Sequence, residues 1–255
     1  MTAALLGDVA TLTRRHLRLM ARRPASVIGA VVLPLLFAVL FLTILSRPMA
    51  RLGVDYAQHL VPAIVVQSIF FAAMSAAVWA AEDASGGMVD RLRSLPVART
   101  APLLGLLGGE LTRCCLSLAV ALGAGQVIGF GFQRGSWATL GFLVTALAAA
   151  AAVCLGYLVL GFALRSVEAV QSVGGVAYYP LLLVSTLFVP ASAFPDWLRP
   201  AVEHQPFSRV VDALRALSTD GVDDPARAVL IAWVWILGAF AVFTVLAARV
   251  VGRRG

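Results

Sequence analysis

Six long stretches of the chain are almost free of charged residues, and they dominate the pattern of the sequence. Each is close to the roughly 20 apolar residues that a helix needs to cross a bilayer. The runs are continuous and do not alternate between apolar and polar positions, which excludes a membrane β-barrel. The predicted spans are residues 26–45, 60–81, 111–131, 139–163, 173–192 and 229–248.

The composition is that of a membrane domain. Hydrophobic residues make up 60% of the 255 residues and charged ones only 13%, against about 45–50% and about 25% in soluble domains. All 20 basic residues are arginine, and with 13 acidic residues the net charge is +7. In so apolar a chain this charge favours membrane lipids as the partner, and we expect no binding of nucleic acid. We predict a single all-α, polytopic membrane domain over residues 1–255.

The arginines also predict how the spans are oriented, because cytoplasmic loops carry an excess of positive charge. With both termini in the cytoplasm, twelve arginines lie on the inner side and seven on the outer side, while Arg113 lies at a boundary. The distribution therefore predicts cytoplasmic termini. Residues 5–23 are then expected to form an amphipathic helix on the inner membrane surface, with an apolar stripe in the lipid and arginines facing anionic head groups.

The sequence lacks the patterns of nucleotide or metal chemistry. No G-x-x-x-x-G-K-S/T loop is present to bind phosphates, and His16, His59 and His204 lack the spacing of metal ligands. We therefore expect no metal and no cofactor on this chain. Glu110 and Arg113 lie near the inner end of the third span. They form either a functional intramembrane pair or an ion pair at the head-group boundary that neutralises itself.

Two connections between spans are expected to contain short amphipathic helices. After the second span, Ser85 can start a helix and Pro96 can end it. Its apolar stripe would consist of Met88, Leu92 and Leu95. This helix lies either in the lipid interface or in a groove of another protein. Before the last span, residues 207–218 predict a helix on the outer side, which either rests on the outer leaflet or covers an exit path.

Several stretches, taken together and in order, resemble the membrane subunits of ABC-2 type transporters, most closely the daunorubicin-resistance branch. The string GMVDRLRSLPVAR at residues 87–99 resembles the cytoplasmic loop of that family. Alanine at position 63 replaces a usual glycine, and valine at position 167 replaces a common proline. The other matching stretches are residues 56–67, 165–172, 188–190, 195–198, 203–206 and 211–217.

The resemblance implies a half-transporter without its own motor. Members of this family pair as homodimers or heterodimers, with six spans in each half, and two copies of a separate ABC ATP-binding subunit dock beneath them. ATP and Mg would bind only to that partner, so this chain would be a transport subunit and not an enzyme. The implied activity is export of an amphipathic drug-like or lipid-like substrate across a bacterial cytoplasmic membrane. The alternatives are a polysaccharide- or lipid-exporting permease, an intramembrane enzyme and a membrane scaffold without transport.

The resemblance also assigns roles to residues by position. The coupling helix that docks on the ATP-binding subunit would contain Met88, Asp90, Arg91, Leu92 and Arg93, with Glu82 at its base. A second cytoplasmic contact would involve Arg165 and Glu168. An extracellular gate would involve Trp197 and Leu198. The sparse polar side chains of the spans predict a substrate path, although they also fit ordinary helix packing: Gln67, Gln126, Tyr178 and Tyr179.

Overall fold

The computed structural model describes residues 2–22, 24–51, 53–88 and 100–252, with side chains for 6–22, 32–51, 53–88 and 100–250. Within these ranges the chain forms α-helices and no strand, which confirms the predicted all-α class. The helices are α1 (Thr2–Arg22), α2 (Pro24–Arg51), α3 (Tyr56–Ser85), α4 (Ala101–Val127), α5 (Gly135–Leu164), α6 (Val167–Leu183), α7 (Arg199–His204), α8 (Pro206–Ser218) and α9 (Pro225–Gly252). A short 3₁₀ turn over Ala191–Ala193 precedes α7.

Five of the described helices are long and apolar enough to cross a membrane, namely α2, α3, α4, α5 and α9. They correspond to the first, second, third, fourth and sixth predicted spans. The predicted fifth span, residues 173–192, is not one continuous helix. In its place α6 has 17 residues, a length of about 26 Å at 1.5 Å per residue, which is less than a hydrocarbon core of about 30 Å.

The end of α6 is fixed by hydrogen bonds that the apolar pattern does not reveal. Pro180 lies in the last turns of this helix and cannot donate a backbone hydrogen bond. The Ser185 hydroxyl donates to the carbonyl of Leu182 at 2.6 Å. The backbone N–H of Thr186 then donates to the Ser208 hydroxyl of α8 at 3.0 Å. The chain after α6 therefore turns back and packs against α8.

Helix α3 lies at the centre of the bundle. Its apolar window is 78% buried, whereas the windows of α2 and α9 are each 11% buried. Small residues let its neighbours approach closely, as expected where lipid provides no hydrophobic force between helices. A Cβ atom added to Gly161 of α5 would lie 2.2 Å from the carbonyl oxygen of Ala77. Helices α3 and α5 therefore pack almost backbone to backbone.

Contacts between helix termini define two ends of the bundle. Arg15 of α1 lies 3.6 Å from Asp83 at the end of α3, and we call this side the α1 end. Arg215 of α8 donates to the carbonyl of His59 at the start of α3, and we call that side the α8 end. The helices α2 to α6 alternate in direction, and α9 runs parallel to α5. Helix α1 and the C-terminal end of α9 therefore lie at the same end of the bundle.

Three glycines at the start of α4 form a notch that receives α1. A Cβ atom on Gly105 would lie 2.5 Å from Leu12 Cβ, and one on Gly109 would lie 2.3 Å from His16 Cδ2. We call Gly105, Gly108 and Gly109 the glycine notch. The apolar stripe of α1 was predicted to lie in the lipid. In the structure, the side of α1 that faces the bundle packs on protein, at the glycine notch. The helix α4 begins ten residues before the predicted third span, with a proline in its first turn, and these added residues carry the contact with α1.

Adding a methyl group to the glycine notch tests this packing. In Gly109→Ala the new Cβ would overlap His16, so we expect the free energy of unfolding to fall by about 1–3 kcal/mol. The matched control is Gly123→Ala in the same helix, where nothing lies within 4 Å of the added Cβ. That change should raise stability by about 0.5–1 kcal/mol. Thermal unfolding in detergent measures both variants, and equal stabilities would contradict the notch.

Candidate functional site

A cavity of about 230 Å³ lies between α3 and α6. Aromatic side chains form most of its wall, and α5 contributes one of them. Its lining residues are Phe70, Phe71, Met74, Tyr157, Gln171, Gly175, Tyr178 and Tyr179. Tyr179 is 61% exposed and Gln171 is also exposed, so the cavity reaches the surface of the molecule on the α6 side.

A pair of buried polar side chains lies at the edge of this cavity. Gln67 is fully buried and Tyr178, which lines the cavity, nearly so. Neither side chain forms a hydrogen bond of good geometry with any other described residue, but they lie beside each other, within reach of a mutual hydrogen bond. By contrast, the Tyr157 hydroxyl donates to the carbonyl of Gly174 at 3.3 Å. The Tyr178 hydroxyl is therefore a polar group in the cavity wall, with the buried Gln67 amide as its polar neighbour.

Phe70 separates this cavity from a second, smaller one. Its ring lies 5.4 Å from the ring of Tyr178 on one side and 3.9 Å from the ring of Phe207 on the other. The second cavity has a volume of about 60 Å³ and a wholly apolar lining that includes Phe207 of α8 and Trp235 of α9. Aromatic walls with few polar groups suit amphipathic molecules that carry flat rings.

The structure brings three of the four predicted path residues together and separates the fourth. Gln67, Tyr178 and Tyr179 all lie at or beside the large cavity. Gln126 is exposed near the end of α4, where its carbonyl accepts a hydrogen bond from the N–H of Gly129. The aromatic residues of α3 were not predicted, since a phenylalanine within an apolar span carries no signal that distinguishes it.

The predicted coupling residues lie only partly within the described chain. Glu82 is half-buried in the last turn of α3, and Met88 is half-buried beyond its end. Asp90, Arg91, Leu92 and Arg93 lie outside the described residues.

Ser85 does not start a new helix as predicted. It is the last residue of α3, and its hydroxyl donates to the carbonyl of Glu82 at 3.3 Å.

The other predicted contact residues lie in two turns at opposite ends. Arg165 and Glu168 are exposed at the α1 end, where Arg165 has a left-handed backbone (φ 55°) and Ser166 caps α6. Trp197 is 79% exposed at the α8 end, and Leu198 beside it is half-buried. Their positions leave these side chains accessible to a partner or to lipid.

Glu110 and Arg113 are buried inside the bundle, next to α1. Glu110 is nine residues into α4, about 14 Å from the start of the helix. Its carboxylate forms an ion pair with Arg113 and accepts a hydrogen bond of 3.0 Å from His16 of α1. The three side chains are 0–2% exposed. The cluster is therefore sealed from solvent in this conformation, which suits a structural tie better than the active site of an intramembrane enzyme.

A second cluster at the α8 end joins three segments through Arg215. Its guanidinium donates to the carbonyl of His59 at 3.0 Å and to the carbonyl of Leu187 at 2.7 Å. Asp212 lies 3.3 Å from it and accepts a hydrogen bond from Thr186. Burial raises the pKa of Asp212 and lowers that of Arg215 to about 10, which leaves the arginine charged at neutral pH.

The helix predicted at residues 207–218 is present as α8. The sequence left open whether this helix rests on the outer leaflet or covers an exit path, and in the structure α8 packs among α3, α5 and α9. Val211 and Leu214 on its apolar face are fully buried. The spacing of Asp212 and Arg215 by three residues was the available signal, because such pairs can neutralise each other on one helix face.

Sequence comparisons agree with the architecture. The sequence profile of the ABC-2 type transporter family matches residues 8–218. The chain is 28% identical to a daunorubicin-resistance ABC transporter permease of Streptomyces coeruleorubidus, over 82% of this chain and 74% of the relative. It is 30% identical to a doxorubicin-resistance ABC transporter permease of Mycobacterium tuberculosis, over 77% and 69%. A second permease of that organism, also named for doxorubicin resistance, is 30% identical over 82% and 76%.

The helical bundle with its long apolar helices and its internal cavity defines a multi-pass membrane protein of the transporter type. The chain belongs to the family of ABC-2 type transporters. Its relatives are named as permeases, so the chain is a membrane-spanning permease subunit and its resemblance to the drug-resistance branch is confirmed.

Substitutions in the Arg215 cluster test what holds α8 in place. Arg215→Gln removes the bonds to two backbone carbonyls, so we expect the free energy of unfolding to fall by about 1.5–3 kcal/mol. Asp212→Asn keeps an acceptor for Thr186 and both carbonyl contacts of Arg215 but removes the counter-charge of the buried guanidinium, so its loss measures the ion pair apart from the carbonyl contacts, and we expect it to be the smaller of the two. Chemical unfolding in detergent compares the two. Equal losses would show that the ion pair, and not the carbonyl contacts, anchors α8.

Proposed function

We propose that this chain is one half of the membrane channel of an ATP-driven exporter that moves amphipathic, drug-like molecules out of a bacterial cell. The aromatic cavity between α3 and α6, with the Tyr178 hydroxyl in its wall, carries the proposal. The names of the relatives support the same reading, since they are ABC transporter permeases named for resistance to daunorubicin or doxorubicin.

In the membrane, α6 serves as the fifth of six segments. Its 17 residues nearly span the hydrocarbon core, and the turns beyond it are covered by α8. Irregular backbone at membrane depth is tolerated where protein buries it. We place the α1 end in the cytoplasm of a bacterial plasma membrane, with both termini there. The exposed arginines of α1 support this orientation, since positive charge accumulates on the inner side: Arg14, Arg18 and Arg22.

The substrate is expected to be bound between two membrane subunits. Pockets for drug-sized ligands measure about 300–1,000 Å³, whereas the cavity in this chain has about 230 Å³ and opens to the surface beside Tyr179. A second copy of this chain, or a related chain, facing α6 would complete the wall. The aromatic lining with few polar groups favours a flat amphipathic molecule over a polysaccharide, which needs many hydrogen-bonding partners.

ATP and Mg are expected to bind to a separate ABC ATP-binding subunit, present in two copies. The coupling segment with Met88, Asp90, Arg91, Leu92 and Arg93 would dock on that subunit, with Glu82 at its base. Apolar side chains would supply the contact area, while the charges would fix the register. Arg165 and Glu168 lie at the same end and offer a second contact. Trp197 and Leu198 at the opposite end would border the exit of the substrate.

Copurification tests whether this chain forms the membrane channel while a separate subunit hydrolyses ATP. Tagged protein is purified in mild detergent from its native host, and the eluate is assayed for ATP hydrolysis. We expect an ATP-binding subunit in equal amount, and Leu92→Asp should release it while membrane insertion stays intact. Arg227→Gln, a change of an arginine at the α8 end, is the control. A chain that purifies alone and without ATP hydrolysis, even after cross-linking, would refute the proposal.

Removal of the Tyr178 hydroxyl tests whether the substrate binds in the cavity. Tyr178→Phe keeps the aromatic wall but removes the unbonded hydroxyl, so the half-saturating doxorubicin concentration for transport should rise about 3- to 10-fold, the loss of one hydrogen bond. Thr43→Val also removes one hydroxyl, on α2, where it bonds only to its own helix. That control should transport as the unaltered protein does. Uptake of doxorubicin into inverted vesicles measures both, and an unchanged half-saturating concentration in Tyr178→Phe would place the substrate elsewhere.

A further inference from the structure

Helix α1 lies across the two helices that flank the proposed coupling segment. Arg15 forms an ion pair of 3.6 Å with Asp83 in the last turn of α3. Thr13 donates a hydrogen bond of 3.2 Å to the carbonyl of Gly105 near the start of α4. Residues 86–100 connect α3 with α4, so α1 bridges both attachment points of that segment.

One turn further along α1, a single side chain contacts both helices again. His16 lies 3.0 Å from the Glu110 carboxylate of α4 through its Nε2 atom. Its ring also meets the ring of Trp79 of α3 edge-on, with centroids 5.3 Å apart. His16 and Glu110 are 1% and 0% exposed. The contact is therefore protected from competing water, which strengthens its electrostatic part.

The cluster continues from Glu110 to the wall of the cavity. Glu110 forms an ion pair with Arg113, and Arg113 Nη2 donates to the carbonyl of Ala72 near the middle of α3. Ala72 is adjacent to Phe71 and two residues from Met74, both of which line the cavity. An unbroken series of polar contacts thus connects His16 of α1 with the stretch of α3 that forms the cavity wall.

We propose that α1 is a brace that makes the adjoining ends of α3 and α4 move as one body, with His16 and Arg113 as its positioning residues. This inference rests on the proposed function of an ATP-driven transporter. A displacement of the coupling segment would then move both helices together. Arg113 would carry that displacement to the part of α3 that lines the cavity. The glycine notch leaves no gap between α1 and α4, so the two helices cannot slide without breaking the buried pair.

Two substitutions of His16 separate the hydrogen bond from the packing. His16→Phe keeps a ring against Trp79 but removes the bond to Glu110, whereas His16→Gln keeps an N–H donor. Both are reconstituted with the ATP-binding subunit in liposomes, and doxorubicin transported per ATP hydrolysed is measured. We expect at least a fivefold loss in His16→Phe with an unchanged half-saturating doxorubicin concentration, and less than a twofold loss in His16→Gln. The control is Thr11→Ala, whose hydroxyl bonds only within α1.

A reversible cross-link provides a second, independent measurement. A Cβ atom on Gly108 would lie 3.6 Å from Thr13 Cβ, within the range of about 3.5–4.5 Å for a disulfide. The pair Thr13→Cys and Gly108→Cys, in a Cys115→Ala background, is oxidised with copper phenanthroline. If α1 and α4 move as one body, the cross-linked protein keeps at least half of the transport of its reduced form, and the cross-link restores most of the transport lost in His16→Phe.

The outcomes distinguish the brace from the proposed function. Transport per ATP in His16→Phe that equals that of the unaltered protein, or an equal loss in His16→Phe and His16→Gln, would overturn the brace. So would a cross-link that stops transport, because α1 would then have to slide over α4. If His16→Phe fails to reach the membrane, the cross-linked pair decides alone. Absence of doxorubicin transport by the unaltered complex would refute the proposed function itself.

Discussion

The close contact between α3 and α5 is the constraint on which the rest of the bundle depends. At Gly161 the two helices approach so closely that even a methyl group would meet the carbonyl of Ala77 at 2.2 Å. Lipid offers no hydrophobic drive for helices to associate, so such contacts depend on small side chains. Because small residues cover much of α3, its backbone lies within reach of polar side chains from other helices. The carbonyls of His59 and Ala72 are both used in this way.

Two arginines donate hydrogen bonds to these carbonyls, and each has a carboxylate at the same spacing in the sequence. Arg113 follows Glu110 by three residues, and Arg215 follows Asp212 by three residues. In each pair the carboxylate neutralises the guanidinium, which would otherwise be costly to bury. Arg215 donates to α3 through Nε and Nη2, whereas Arg113 uses the same Nη2 atom for its ion pair and for the carbonyl of Ala72. The two pairs attach α4 and α8 to the central helix α3 at two different points along its length. The ion pairs contribute more to the positions of these helices than to the net stability of the bundle.

Most spans were predictable because hydropathy alone determines them, but contacts between helices were not. Residues 173–192 read as one apolar run, yet Thr186 turns the chain toward Ser208, a partner distant in sequence. The early start of α4 leaves the glycine notch inside this helix, and the fit of α1 into the notch depends on residues far apart in sequence. Gln67, Tyr178 and Tyr179 were predicted at the site because polar side chains are rare in the spans. Phe70 was missed because it resembles every other apolar residue of α3.

The two walls of the cavity are bonded toward opposite ends of the bundle. The α3 wall is tied through Arg113 to Glu110 and so to α1. The α6 wall is bonded at the α8 end. There the side-chain amide of Gln205 donates a hydrogen bond of 3.1 Å to the carbonyl of Leu181 in α6. Under the proposed function, a movement that entered from the coupling segment would reach the α3 wall through Arg113, whereas a movement of α8 would reach the α6 wall through Gln205 and the start of α3 through Arg215. A cavity with walls bonded in this way to both ends of the bundle would meet the mechanical requirement of a transporter, which must open to each side in turn.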